Sequence, residues 1–311
     1  EGLEVLTTQT TQQIAAPSQS IIRAYVALTK PRIIMLLLFT ALGGMFLAAQ
    51  GTPDVLVMVV VLVAGTLASA GANALNQWFD RDIDEAMSRT RKRPVVVGTI
   101  PNSHAIAFGI CTNIVAFVML TSMVNLLSAV LTLCATLFYV LVYTMALKRT
   151  STQNIVIGGA AGAIPPAVGW VAVTGSLDLP AIYLFAIVFF WTPPHFWALS
   201  LLLKDDYASA KVPMLPVVAG VDVTKKSILL YTLLMLALTT MFALTGAVGS
   251  VYLVSSVVLG VLFIYYAWRL MRRPDIEGAK PLYLYSLLYL ALLFLAIIAD
   301  SFFKVGWYSW I

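Results

Sequence analysis

The sequence predicts an all-α membrane protein: nine transmembrane helices in one bundle, with the N-terminus cytoplasmic and the C-terminus outside. Three observations carry this. Of 311 residues, 60% are hydrophobic and only 11% charged, and the mean hydropathy is +0.92, far from soluble averages. Nine stretches are long and apolar enough to cross hydrocarbon, which takes roughly 20 helical residues because lipid offers the backbone no partners. All but one of the 19 basic residues fall on one side of those stretches. A water-soluble fold is excluded, and so is disorder, which needs less apolar surface and more charge.

Residues 1–22 are rich in Gln, Thr and Ser, carry Glu1 and Glu4, and place no basic cluster before an apolar run. They read as a flexible cytoplasmic tail rather than a secretory or transit peptide. Residues 23–311 read as a single transmembrane domain. Arg23, Lys30 and Arg32 mark the inner end of the first span, 32–50. The second, 54–75, and third, 104–122, enclose a loop with Arg81, Arg89, Arg91, Lys92 and Arg93. The fourth, 124–147, ends on Lys148 and Arg149. In the fifth, 153–174, Gly158 and Gly162 make a small-xxx-small packing face beside Gly159, and Pro165 and Pro166 widen a cavity. The sixth, 179–203, holds Pro193, Pro194 and His195, where two missing amide donors are expected to break the ladder and open a pocket. Lys204, Lys211, Lys225 and Lys226 precede the seventh, 226–247. Arg269, Arg272, Arg273 and Lys280 lie between the eighth, 251–270, and the ninth, 282–303. Lys304 alone is on the other side.

This bias predicts basic loops in the cytoplasm, and the expected location is the cell inner membrane. The net charge of +5 expresses the same bias toward an anionic leaflet, so nucleic acid is not implied. Cys111 and Cys134 both sit inside apolar runs and read as small core residues, not as a disulfide or a thiolate metal site. The span interiors contain essentially no acids, which argues against an ion-coupled transporter. Asp54, Asp178 and Asp300 read as solvated outer ends.

The remaining acids concentrate in two cytoplasmic loops. The first reads NQWFDRDIDEAMSRTRKRP from Asn76 to Pro94, with no helix breaker until that proline. Asn76, Asp80 and Asp84 therefore fall at i, i+4 and i+8 on one helical face, with Asn73 on the same stripe. Like charges so spaced repel unless a cation intervenes. Amide and carboxylate oxygens without nearby His or Cys suit Mg²⁺, which shares its remaining sites with phosphates. The five basic residues between Arg81 and Arg93 supply donors for the same phosphates. A lone acid at a helix end is ordinarily a solvated charge; three ligands in register beside five cations make a stronger pattern. Asp82 points off the stripe and reads as a partner of Arg81 or Arg89.

The second loop carries Asp205 and Asp206, and at an offset of 122 residues Asp206 and Pro216 align with Asp84 and Pro94. A weak internal repeat, helices 1–4 against 5–8, follows, with two acidic loops facing each other. Such a mouth above an apolar bundle suits a long hydrocarbon tail with a diphosphate head. Ionising it leaves a carbocation, for which Trp78, Phe79, Tyr143, Phe196, Trp197 and Tyr207 offer π faces, unless they are only the usual interfacial belt.

At these residues the chain resembles the UbiA superfamily of intramembrane prenyltransferases, whose signature is NxxxDxxxD. The segments YTMALKRTSTQNIVIGGAAGAIPPAVGW and WTPPHFWALSLLLKDDYASAKVPMLPVV are similar to the branch that farnesylates haem, and the likeness covers about 22–300. The resemblance implies a Mg²⁺-dependent transfer of farnesyl from farnesyl diphosphate to a vinyl group of haem b, with water addition. It implies that Asn76, Asp80 and Asp84 hold metal, that Asp205 and Asp206 form a second acidic site, and that Arg81, Arg91, Arg93, Lys148, Arg149 and Lys204 meet diphosphate. His195 is the candidate haem contact, with a structural role as its rival, and His104 reads as a cap or an interfacial residue. A haem A synthase or a terminal oxidase is the implied assembly partner. Two departures stand out: members acting on aromatic or quinone precursors carry DxxxD in the second loop, where Ala210 stands here, and their YxxxK is stretched, with five residues from Tyr143 to Lys148.

Overall fold

The computed structural model describes residues 20–303, so the expected tail lies outside the described residues except for its last three positions, and Lys304 lies outside them too. Ile21 and Ile22 already belong to a short helix, α1 (Ile21–Thr29), which the span count did not predict. It buries Ala24 and Leu28 and turns Ile21, Ile22 and Val26 outward, as an interfacial helix does.

Among the described residues nine helices are long and apolar enough to span a bilayer. They are α2 (Pro31–Ala49), α3 (Val55–Phe79), α5 (Asn102–Met123), a composite fourth span Leu126–Thr150, α8 (Asn154–Thr174), α9 (Leu179–Leu202), α12 (Val221–Ala243), α13 (Ser250–Arg272) and α14 (Ala279–Phe303). The composite span runs from α6 (Leu126–Leu137) through a π-helical stretch, Phe138–Leu147, into α7 (Lys148–Thr150). Three short helices lie between spans: α4 (Arg81–Ala86), α10 (Lys204–Ser209) and α11 (Leu215–Val218).

Two of the four apolar clusters among the described residues join most of the spans. One joins α9, α12, α13 and α14 around Trp191, Phe242, Tyr252, Phe263, Tyr289 and Phe294. The other joins α2, α3, α5, α6 and α8 around Met45, Val61, Leu120 and Ala172. Helix α8 joins the two through a close crossing with α2. A Cβ on Gly44 would strike the Pro166 carbonyl, and one on Gly169 would strike the Ala41 carbonyl, so only glycine permits that approach.

Several expectations need correction. The seventh span begins five residues early, because Lys225 is buried with its ammonium donating to the Arg273 and Asp275 carbonyls, 2.8 Å each, rather than facing lipid. Gly162 has open space where a Cβ would sit, so it packs against nothing; Gly158 lies under the Tyr143 ring and Gly159 against Thr192. Cys111 and Cys134 are exposed on outer faces, not core residues. Asp300 is buried, and its carboxylate caps α13 by accepting from the Gly249 and Tyr252 amides. The double proline does not break α9, which runs helically from Leu179 to Leu202 with Thr192, Pro193, Pro194 and His195 all buried.

Candidate active site

Helix α3 ends at Phe79, Asp80 takes a non-helical φ −86°, ψ 8°, and α4 restarts at Arg81. The Asp80 amide still donates to the Asn76 carbonyl at 2.9 Å, and the Asp84 amide to the Asp80 carbonyl at 2.8 Å. The i, i+4, i+8 register thus survives the kink. The helix does not run on to Pro94 as predicted; α4 stops at Ala86 and Thr90 Oγ donates to the Asp84 carbonyl at 3.0 Å. A continuous helix would carry Arg93 about 13 Å past Asp84. The turns after Met87 instead fold it back, with Arg93 Nη1 2.5 Å from Asp84 Oδ2.

Asn76, Asp80 and Asp84 are 3%, 0% and 2% exposed, so their charges need partners inside the bundle. Lys148 Nζ lies 2.5 Å from Asp80 Oδ2, which also accepts from Asn76 Nδ2 at 2.7 Å. Lys30 Nζ donates to Asn76 Oδ1 at 2.9 Å. The second amide hydrogen of Asn76 reaches Thr144 Oγ at 3.0 Å. Arg149 clasps Asp82 through both terminal nitrogens, at 2.6 and 2.7 Å, donates to the Phe79 carbonyl, and stands 4.0 Å from Asp80 Oδ1. That clasp holds the Asp82 carboxyl at about 2, below its usual range. Asp82 thus pairs with Arg149, not with Arg81 or Arg89.

Lys30 is the residue that sequence reasoning missed, because a single Lys before a Pro reads as a topology signal. It sits in the left-handed region, φ 57°, ψ 61°, between α1 and α2. The side chains of Gln77 and Asn73 hold it there by donating to the Leu28 and Thr29 carbonyls at 2.8 and 2.9 Å. Burial first, then the Arg93 and Lys148 cations, pulls the Lys30 ammonium down to about 7. Its signal was the Asn73/Gln77 pair, two more amides on the helix face that carries Asn76.

The stretched Tyr143–Lys148 spacing has a local cause. In the π-helical stretch the Lys148 amide bonds the Tyr143 carbonyl, five residues back, and Thr144 Oγ bonds the Tyr139 carbonyl at 2.8 Å. One extra residue per hydrogen-bonded turn returns Lys148 to the face of Tyr143, as i+4 would in an α-helix. The Tyr143 ring stacks on Tyr139 at 5.6 Å.

The second loop meets the first. Ser88 Oγ donates to the Asp206 carboxylate, 2.9 Å from each oxygen, and Ile83, Met87, Ile155, Tyr207, Val212 and Met214 pack beneath. Asp205, Arg81 and Arg91 are exposed and Lys204 is half-buried; among the described residues none of the four forms an ion pair, so these predicted residues are not brought to Asp80 and Asp84. His195 is buried on α9, with Nδ1 2.7 Å from Ser286 Oγ and its ring between Trp191 at 4.4 Å and Tyr283 at 4.9 Å. Of the rim aromatics, Trp197 is part of the large core and Phe79 carries the Arg149 guanidinium at 5.4 Å.

The donor chemistry fits a divalent cation that arrives with phosphate. Asp80 Oδ1 is buried without a hydrogen-bond partner among the described residues. No three His, Cys, Asp or Glu groups among those residues cluster closely enough for a protein-only site, so the Asn76 amide and a substrate oxygen are needed to complete the shell. The two carboxylates are matched by the Arg93 and Lys148 cations, and Lys30, held at about 7, adds a donor at Asn76, so the row carries no negative charge in excess. A bare cation finds little net attraction there, and one that arrives with anionic diphosphate is better matched.

The profile of the UbiA prenyltransferase family matches residues 37–298. The chain belongs to the UbiA prenyltransferase family. It is 50% identical over 281 residues to a protoheme IX farnesyltransferase of Roseiflexus sp., covering 90% of this chain but 53% of that protein. It is 50% identical over 285 residues to one of Symbiobacterium thermophilum, covering 91% of this chain and 95% of that protein. The chain therefore spans about half the length of some curated relatives and nearly all of others. Among solved structures, a digeranylgeranylglyceryl phosphate synthase superposes with a TM-score of 0.76 at 19% identity, covering 91% of this chain and 99% of that one. A UbiA homolog from Archaeoglobus fulgidus bound to GPP and Mg²⁺ superposes with a TM-score of 0.61 at 17% identity, covering 89% and 99%. At such identities the likeness establishes the UbiA fold alone.

Proposed function

We propose that this UbiA-family chain transfers the farnesyl group of farnesyl diphosphate to a vinyl group of haem b, giving haem O for a terminal oxidase. The observation that carries the reading is the buried Asn76–Asp80–Asp84 row facing Lys30, Lys148 and Arg93, in a chain half identical to protoheme IX farnesyltransferases. Asn76, Asp80 and Asp84 would hold Mg²⁺, which when bound neutralises charge on the departing oxygen. Lys148, Arg93 and Lys30 turn their donors from the protein's oxygens to those of diphosphate. Arg149, at the edge of this group, and Arg81, Arg91 and Lys204, farther along the rim, add positive field as the head enters.

The chain's own residues then set the course. The carbon–oxygen bond of the allylic ester breaks with its electron pair going to diphosphate. The vinyl carbon attacks the farnesyl cation, and positive charge moves to the carbon beside the porphyrin, where water adds and loses a proton. Asp206, steered by Ser88, or Asp205 takes that proton. Tyr143 and Tyr139 present π faces near Lys148 and help exclude water. His195 contacts the haem from α9. The site opens to the cytoplasm from the inner membrane, with the N-terminus inside and the C-terminus outside, and a haem A synthase or the oxidase receives the product.

The test is direct: membranes containing the chain, incubated with haem b, farnesyl diphosphate and Mg²⁺, yield haem O by mass. Activity on 4-hydroxybenzoate in its place would assign the chain to the aromatic-acceptor branch instead.

A further inference from the structure

A crevice of about 260 Å³ opens at the rim beside the metal-binding row, lined by Asp82, Ile83, Arg149, Ala210, Lys211 and Val212. It is smaller than the roughly 300–1,000 Å³ of sites that enclose a whole ligand, so it takes an arm of a substrate and not its body. Its charges are unevenly spent. Asp82 is neutralised by the two-point clasp of Arg149. Lys211 is exposed and forms no ion pair or side-chain hydrogen bond among the described residues. The buried Nε of Arg149 has no acceptor among them either. Lys211 is also held in the left-handed region at φ 54°, a conformation that a lysine adopts only at a cost in strain. Backbone bonds fix it there, from the Lys211 amide to the Ala208 carbonyl at 3.0 Å and from the Val212 amide to the Tyr207 carbonyl at 3.0 Å.

We infer that this crevice seats a propionate carboxylate of the porphyrin substrate on Lys211, beside the Arg149 guanidinium. The inference rests on the haem reading above. A propionate is a singly charged acceptor, matching one unpaired ammonium, whereas diphosphate is met deeper by Lys30, Arg93 and Lys148 around fully buried Asp80. The propionates of haem b project from the edge of the macrocycle opposite its vinyls. Holding the acidic edge at exposed Asp82 and Lys211 turns the vinyl edge away from the rim, toward the bundle. Lys211 is thus a substrate-orienting residue that decides which edge of the porphyrin enters first.

Lys211→Gly removes the cation and suits the left-handed backbone, so the full chain is expected to fold at least as well. In steady-state assays it should raise KM for haem b by about tenfold, the loss of one charge-assisted contact. kcat, KM for farnesyl diphosphate and Ki for inorganic diphosphate should stay within about twofold, and Lys211→Arg should restore KM. With haem dimethyl ester, wild type and Lys211→Gly should be indistinguishable. An unchanged KM for haem b, a penalty that persists with the ester, or a rise in Ki for diphosphate in its place would overturn the seat, the last by assigning the crevice to the leaving group. Failure of the wild type to convert haem b at all, with turnover of another acceptor, would remove the haem reading and the seat with it.

Discussion

The crossing of α2 and α8 makes a prediction in which the same substitution changes sign along one helix. A methyl group on Gly169 would be driven into the Ala41 carbonyl, and one on Gly44 into the Pro166 carbonyl; both obstacles are backbone and cannot rotate away. Overpacking costs typically 1–3 kcal/mol, and a backbone obstacle puts Gly169→Ala at about 3. Gly162, seven residues earlier on α8, meets nothing within 4 Å, so Gly162→Ala gains helix propensity, about 1 kcal/mol. The two variants should differ by about 4 kcal/mol. Their unfolding by a denaturing detergent, followed by far-ultraviolet circular dichroism in mixed micelles, measures this. Activity should follow, since Lys30 is the N-cap of α2 and α8 carries Gly158 under the Tyr143 ring. Equal stabilities for Gly162→Ala and Gly169→Ala would refute the close crossing and the placement of Lys30 that depends on it.

Lys30→Met should lower turnover by at least about tenfold at low farnesyl diphosphate while leaving the helical content intact, because it removes one of three donors facing the buried oxygens; unchanged kinetics would return Lys30 to a topological role. Ser88→Ala should slow turnover by a few-fold without changing KM for farnesyl diphosphate, as Asp206 loses its tie to the first loop; a KM effect alone would place Ser88 at the diphosphate instead. The Arg149–Asp82 clasp has a pH signature. Asp82 titrates near 2 when folded against 3.8 when free, so its stabilisation is present at neutral pH and is lost as pH falls from about 4 through 2. Acid unfolding should show that slope in wild type and lack it in Asp82→Asn.

Much of the fold was legible because lipid leaves so few options: each span announced itself by length and apolarity, and the charged loops by their basic residues. The register of Asn76, Asp80 and Asp84 was legible too, since helical periodicity survives the kink at Asp80. What escaped depends on partners far away in the chain. Lys225 and Asp300 looked like solvated charges, yet each is buried against a helix end some fifty residues distant. Lys30 reaches Asn76 across 46 positions, and the return of Arg93 to Asp84 required turns that no periodicity encodes. The π-helical turn before Lys148 was visible only as an irregular spacing.

In the proposed function Asn76, Asp80 and Asp84 take a divalent cation together with the diphosphate. Electron paramagnetic resonance of Mn²⁺ titrated into the purified chain, with and without an unreactive farnesyl diphosphate analogue, tests it most directly. The pairing of both carboxylates with protein cations predicts weak Mn²⁺ binding alone and tight binding with the analogue, weakened by at least about tenfold in both Asp80→Asn and Asp84→Asn. Equal Mn²⁺ binding by wild type and both variants in the presence of the analogue would contradict it.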